Sequence, residues 1–374
     1  MANALIALNH SSDRNESATM ASHKRLLPPV NGHILPASFR REDAMNRKNF
    51  LLPSVLAVAL ALVGVAPAAA QGSGGTQGEA ATAPQLPLRL VENFFHYPAT
   101  YVMGEVIGVA VNAKGHVFLL NRGYHPLLEF DAEGKFIRSL GEGSALFEGA
   151  HSIRFDPQDN MWYIDASSNM VIKFDLEGRT QEVLGMRPEP WTWLTHVIEH
   201  AVPNKAAFYQ PTDVTWGADG SVYISDGYGN SRVAKFNKEG NFVKAWGERG
   251  TGKGEFNTPH SIVIDKNQTL YVADRGNSRI QLFDTDGNFK EVWNNLPGPP
   301  WSFCITPGPT QVIYVGSVGK IYKLDLTGKV LGTFGHYGRT PGTMDWVHAV
   351  ACPDEKTVFV AEEQAWRLDK LVAQ

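Results

Sequence analysis

Five short polar turns recur along most of the chain, each between runs rich in β-branched and aromatic residues: DAEG (131–134), DLEG (175–178), NKEG (237–240), DTDG (284–287) and DLTG (325–328). The Asp or Asn that opens each turn can hydrogen-bond its own backbone. The Gly that closes it tolerates a positive φ, so each turn has the chemistry of a hairpin between antiparallel strands. Runs such as Ser221-Val-Tyr-Ile-Ser, Leu270-Tyr-Val-Ala and Arg279-Ile-Gln-Leu-Phe show little helical spacing. Four strands fit each period.

Four-stranded units recurring every 40 to 50 residues cannot bury their faces alone, and the arrangement that buries them all is a closed ring of blades. The starts of the first strands align at Ile107, His151, Thr212, His260, Trp301 and His348, with spacings of 44, 61, 48, 41 and 47 residues. The longest spacing contains an insertion over 186–208. This predicts an all-β, six-bladed β-propeller over 85–374. The last blade has only three strands before the chain ends, so the segment 86–93 is expected to supply the fourth and remove an exposed edge.

The segment ahead of the repeats reads differently. Met45-Asn-Arg-Lys is a short basic stretch, 50–65 is an apolar run broken by Pro53, and Ala68-Ala-Ala precedes Gln71. That order is a secretory signal peptide over 45–70, and the apolar run is shorter than the roughly 20 residues of a membrane span. Residues 1–44 then read as an upstream mis-start or disordered extension, and 71–84 as a flexible linker. The expectation is an exported monomer, periplasmic or secreted, with no stable membrane span after cleavage. Beyond residue 70 the chain has 27 basic and 34 acidic residues. That balance argues against a nucleic-acid partner. Cys304 and Cys352 are too few for a disulfide framework, and the expectation is that both are simply buried.

The blade alignment also carries chemistry. Histidine occupies the same column in alternate blades, at His151, His260 and His348. Alternate blades place equivalent residues on a triangle around the central channel, and three neutral imidazoles that leave one position open are a catalytic type of metal site. A second column, where the second strand ends, holds Asn121-Arg122, Asp165-Ala166, Asp226-Gly227-Tyr228 and Asp274-Arg275. Its Asp or Asn reads as a turn cap. Arg122, Arg275 and Tyr228, which follow it, read as anion-binding and proton-transfer groups beside the metal.

The motifs PTDV (211–214), SDGYGNSR (225–232), FNTPHSI (256–262) and ADRGNSRIQLF (273–283) resemble the NHL-repeat (NHL/TolB-like) propellers, specifically the peptidyl-α-hydroxyglycine α-amidating lyases. The resemblance spans all six blades and is most specific over 208–284. It implies zinc or a similar divalent ion on His151, His260 and His348, a catalytic base at Tyr228 and active-site arginines at Arg122 and Arg275. The implied reaction cleaves a C–N bond to give an amide and glyoxylate, from a small-molecule or peptide substrate with a carboxylate. The sequence departs from the animal enzymes in three places. Gly229 and Leu282 stand where those enzymes have cysteines, so those disulfides are absent. His348 lies in Trp346-Val-His-Ala rather than between Met-Pro and Asp. That Asp is tied in the family to a structural calcium, and Ala349 argues against the second ion. The insertion over 188–196 could form a lid. Two alternatives stay open: another metal-dependent propeller enzyme, such as a lactonase or lyase, and a non-catalytic NHL-repeat binding module.

Overall fold

The computed structural model of the chain describes residues 83–187 and 205–374. The signal segment, the extension before it, most of the linker and the suggested lid lie outside the described residues. No helix among the described residues is long and apolar enough to cross a membrane.

Six four-stranded antiparallel sheets follow one another along the chain. Their first strands are Val106–Val111, Ala150–Phe155, Asp213–Trp216, Pro259–Ile264, Ser302–Ile305 and Val347–Ala351. Each packs against the next, and the sixth packs against the first, so they surround a channel. The second strands, such as Val117–Asn121, Met161–Asp165 and Leu270–Asp274, are buried at every position. A neighbouring blade covers each of their faces, which is why they read as continuous apolar runs rather than alternating ones. The core therefore lies between blades: Ile107, Phe118 and Leu120 of the first blade meet Ile153, Tyr163 and Ile172 of the second.

The predicted hairpins are present. Gly134, Gly178, Gly240, Gly287 and Gly328 all have φ between 77° and 84°. The Asp or Asn that opens each turn accepts the backbone N–H groups two and four residues on.

The second-column carboxylate does more than cap its turn. Asp165, Asp226, Asp274 and Glu362 each accept the backbone N–H of the residue 17 positions upstream, in the loop arriving from the previous blade. Asn121 does the same for Gly104. In three blades an arginine that opens the third strand, Arg232, Arg279 or Arg367, pairs with that carboxylate and donates to loop carbonyls. Loops that would otherwise be loose are tied to the sheet beneath them.

Ring closure follows the expected plan. The strand Leu88–Leu90 pairs antiparallel with the strand Arg367–Ala373, and Leu88 is opposite Ala373. Leu86, Leu88 and Leu90 pack into the core between the fifth and sixth blades.

The cysteine expectation is corrected. Cys304 and Cys352 are buried but joined as a disulfide between the first strand of the fifth blade and the residue just after the first strand of the sixth. They are 48 residues apart, one blade period, and so fall side by side. Spacing read as a knuckle motif hides such a pair; spacing read against the repeat reveals it.

A chain beginning at residue 92 should melt several degrees lower than one beginning at 83. Only the shorter chain loses the leucines of the closing strand, each contributing about 1.5–3 kcal/mol when fully buried. Thermal unfolding of the two truncations checks this, and equal midpoints would mean that the sixth blade is stable with three strands.

Candidate metal centre and active site

The local backbone explains why the histidines face the channel. The pairing of first and second strands slips by one residue between Ala150 and Ser152, between Pro259 and Ser261, and between Val347 and Ala349. The residue left over at each slip is His151, His260 or His348. A bulge takes one residue out of the ladder and re-aims its side chain.

The same column supplies the partners that orient the rings. Nδ1 of His151 is 2.7 Å from the carbonyl oxygen of Thr212, that of His260 is 2.6 Å from Trp301, and that of His348 is 2.7 Å from Ile107. Histidines in even blades thus bond to the column residue of the next odd blade. With Nδ1–H donating to a carbonyl, Nε2 carries the free lone pair.

Ring centroids are 4.7 to 5.0 Å apart, and the three ligand atoms lie within 4.8 Å of one another. All three rings are at most 4% exposed. Burial pushes the His151 imidazole down to about 3, against the opposing effect of its carbonyl bond, and holds His260 and His348 well below the usual range. Three neutral, pre-oriented imidazoles fit a divalent ion of the zinc class, with a position left for another ligand.

Tyr228 lies over this triangle. Its hydroxyl is 3.0 Å from Nε2 of His260 and 3.2 Å from Nε2 of His151. Its two glycine neighbours make the approach possible. A Cβ on Gly227 would sit 2.0 Å from the Pro259 carbonyl oxygen, and one on Gly229 would sit 2.0 Å from the Tyr209 ring. Burial raises the Tyr228 phenol, and the Arg275 charge opposes that rise.

The two arginines differ in their partners. The Arg275 guanidinium lies 4.4 Å from the Trp301 ring centre and 5.3 Å from that of Tyr228. No carboxylate among the described residues is within ion-pairing distance of it. Arg122 donates to Glu105 at 2.7 Å, to Glu363 at 3.0 Å and to the Ala150 carbonyl. Burial raises the Glu363 carboxyl, which Arg122 counters.

Glu105, Glu363 and Trp301 were not singled out from the sequence as site groups. Glu363 had a readable signal. It follows the second-column carboxylate Glu362 just as Arg122 follows Asn121 and Arg275 follows Asp274, but the sixth blade carries Glu-Glu where the first carries Asn-Arg and the fourth Asp-Arg.

Below the histidines a buried polar hub closes the channel. Asp213 accepts two bonds from Arg154, at 2.9 and 2.6 Å, and one each from Ser152 and Ser261. Arg154 also reaches the Phe303 carbonyl at 2.9 Å. The hub therefore joins four blades one to three residues beyond the histidine column.

Comparison with known proteins agrees with this architecture. A family model described as a 6-bladed beta-propeller matches residues 205–315. Among curated relatives, the mouse peptidyl-glycine alpha-amidating monooxygenase is 33% identical over half of this chain and 21% of its own length. A probable peptidyl-alpha-hydroxyglycine alpha-amidating lyase of Caenorhabditis elegans is 30% identical over 46% of this chain and 53% of its own length. This chain resembles NHL-repeat propellers and amidating lyases. The human NHL repeat-containing protein 3 is also similar, at 32% identity over 47% of this chain and 50% of its own. The matches thus cover from about a fifth to about half of these relatives. A gluconolactonase from Xanthomonas campestris shares the fold, with a TM-score of 0.55 at 17% identity over 78% of this chain and 97% of its own.

Two outcomes are expected here. Purified protein should carry about one divalent ion, and His260→Ala should lose it, since two imidazoles make a far weaker site; elemental analysis of both proteins decides. Asp213→Ala should cost about 3–5 kcal/mol in denaturant unfolding, the scale of a buried ion pair left with one member.

Proposed function

We propose that this protein is a metal-dependent lyase. Its substrate would be a peptidyl-α-hydroxyglycine-type compound, cleaved at the C–N bond to an amide and glyoxylate. The observation that carries the reading is one constellation: three neutral imidazoles converging on a point, a tyrosine hydroxyl within reach of two of them, and beside that tyrosine one arginine with no carboxylate of the described residues within ion-pairing distance. Likeness to amidating lyases over about half the chain supports it.

His151, His260 and His348 would hold a divalent ion, zinc by the chemistry of the donor set, which when bound would supply Lewis-acid polarisation of a substrate oxygen. Arg275 binds the carboxylate, and its stacking on Trp301 keeps the guanidinium in place. The Tyr228 hydroxyl stands where a proton must pass. In the reaction the α-hydroxyl loses its proton, the C–N bond breaks, and the amide nitrogen gains a proton, so nothing is oxidised or reduced. Tyr228 relays that proton from oxygen toward nitrogen. Half-burial of the site strengthens both the ion pair and the proton transfer.

The proposal extends to export. A disulfide between buried cysteines persists in an oxidising compartment, which fits a leader over 45–70.

The test is release of glyoxylate from an α-hydroxyglycine peptide. Tyr228→Phe should keep its metal and lose about two or more orders of magnitude in turnover, the scale of a lost acid–base group. Arg275→Ala should mainly raise KM. Metal-loaded protein that releases no glyoxylate would defeat the lyase reading.

A further inference from the structure

The two site arginines carry unequal charge environments. Among the described residues Arg275 faces aromatic rings and no carboxylate within ion-pairing distance, whereas one guanidinium at Arg122 meets two carboxylates. Glu105 approaches from the segment leading into the first blade, and Glu363 from the turn after the second strand of the sixth. Both fold onto Arg122 through fixed backbone: Arg122 N–H donates to the Glu105 carbonyl, and Glu363 N–H to that of Trp346. The Glu363 side chain is only 14% exposed, and its partner Arg122 is 36% exposed. That side of the mouth has a net negative charge, and the Arg275 side a net positive one.

We infer that Glu105 and Glu363 withhold Arg122 from substrate, so that the site takes one carboxylate, on Arg275, and rejects a second anionic group directed toward the first and sixth blades. The inference rests on the reading of this site as a carboxylate-binding metal centre. The substrate is thereby oriented: its carboxylate lies against Trp301, and its remaining part extends toward the two glutamates. An acidic group there would face two carboxylates already in place, and a basic or neutral one would not. Glu105 and Glu363 act through charge and through their hold on Arg122, so they are specificity-determining residues with no part in bond breaking.

Calorimetric binding to the metal-loaded full chain tests this without turnover. The probes are lactate, a 2-hydroxy monocarboxylate, and malate, a 2-hydroxy dicarboxylate. Wild-type protein should bind lactate at least tenfold more tightly than malate. The double variant Glu105→Gln, Glu363→Gln should keep its metal and bind malate tenfold or more tightly than wild type does, the scale of a charged hydrogen bond gained, with lactate changed by less than about threefold. Arg275→Ala should lose lactate binding. Equal wild-type affinities, no gain for malate in the double variant, or no binding of either acid would each overturn the inference. Discrimination that holds in a protein without glyoxylate release would leave it standing while the lyase reading falls.

Discussion

One hydrogen bond, made three times, underlies the site: the imidazole Nδ1–H of an even blade donating to the main-chain carbonyl of the next odd blade. It is available because the histidines and Ile107 sit at β-bulges, while Thr212 and Trp301 stand just ahead of their strands. A side chain leaves the ladder, and a carbonyl with no strand partner receives its proton. The pairing fixes the tautomer, turns each Nε2 inward and links neighbouring blades at the channel. It also accounts for the alternation. Odd positions are required to offer only a carbonyl, and isoleucine, threonine and tryptophan serve equally.

Much of this was legible in the sequence because a repeat makes positions comparable. Turn residues gave the blade count, and the column at the strand start gave the three histidines before any contact was known. The strand that closes the sixth blade followed from counting strands. What stayed hidden depended on register. A bulge shifts the frame of the first strand by one, so Cys304 and Cys352 fall three and four residues beyond their column positions, Trp301 and His348. Glu363 was obscured because its blade replaces Asp with Glu at the preceding position. The Arg122 pairing with Glu105 and Glu363 joins residues up to 241 apart, and no local pattern announces it.

The fold separates positioning from chemistry. Carboxylate–arginine clamps such as Asp274 with Arg279 hold the loops, and the hub of Asp213 and Arg154 holds the strands just beneath the histidines. Neither set touches the space above the imidazoles. Loops that carry Tyr228, Arg275 and Glu363 can therefore differ between blades while the ring beneath them stays regular. Function of this kind resides in single-copy residues placed on a repeated frame.

The bulged histidines form a three-fold frame inside a six-fold ring, and such a frame singles out no one direction around the axis. Seen from the channel axis it offers the same surroundings every 120°. The direction in which a substrate is laid across it must come from groups that occur once: Tyr228 over one edge of the triangle, Arg275 stacked beside it, and Arg122 held on another side. A substrate whose reacting carbon is a stereocentre would have its configuration read with the help of those residues, through which side of that carbon meets the tyrosine once the carboxylate is anchored. Exchanging Tyr228 and Arg275 between blades would leave the imidazole frame as it is and reverse the order in which a substrate meets the two groups around the axis.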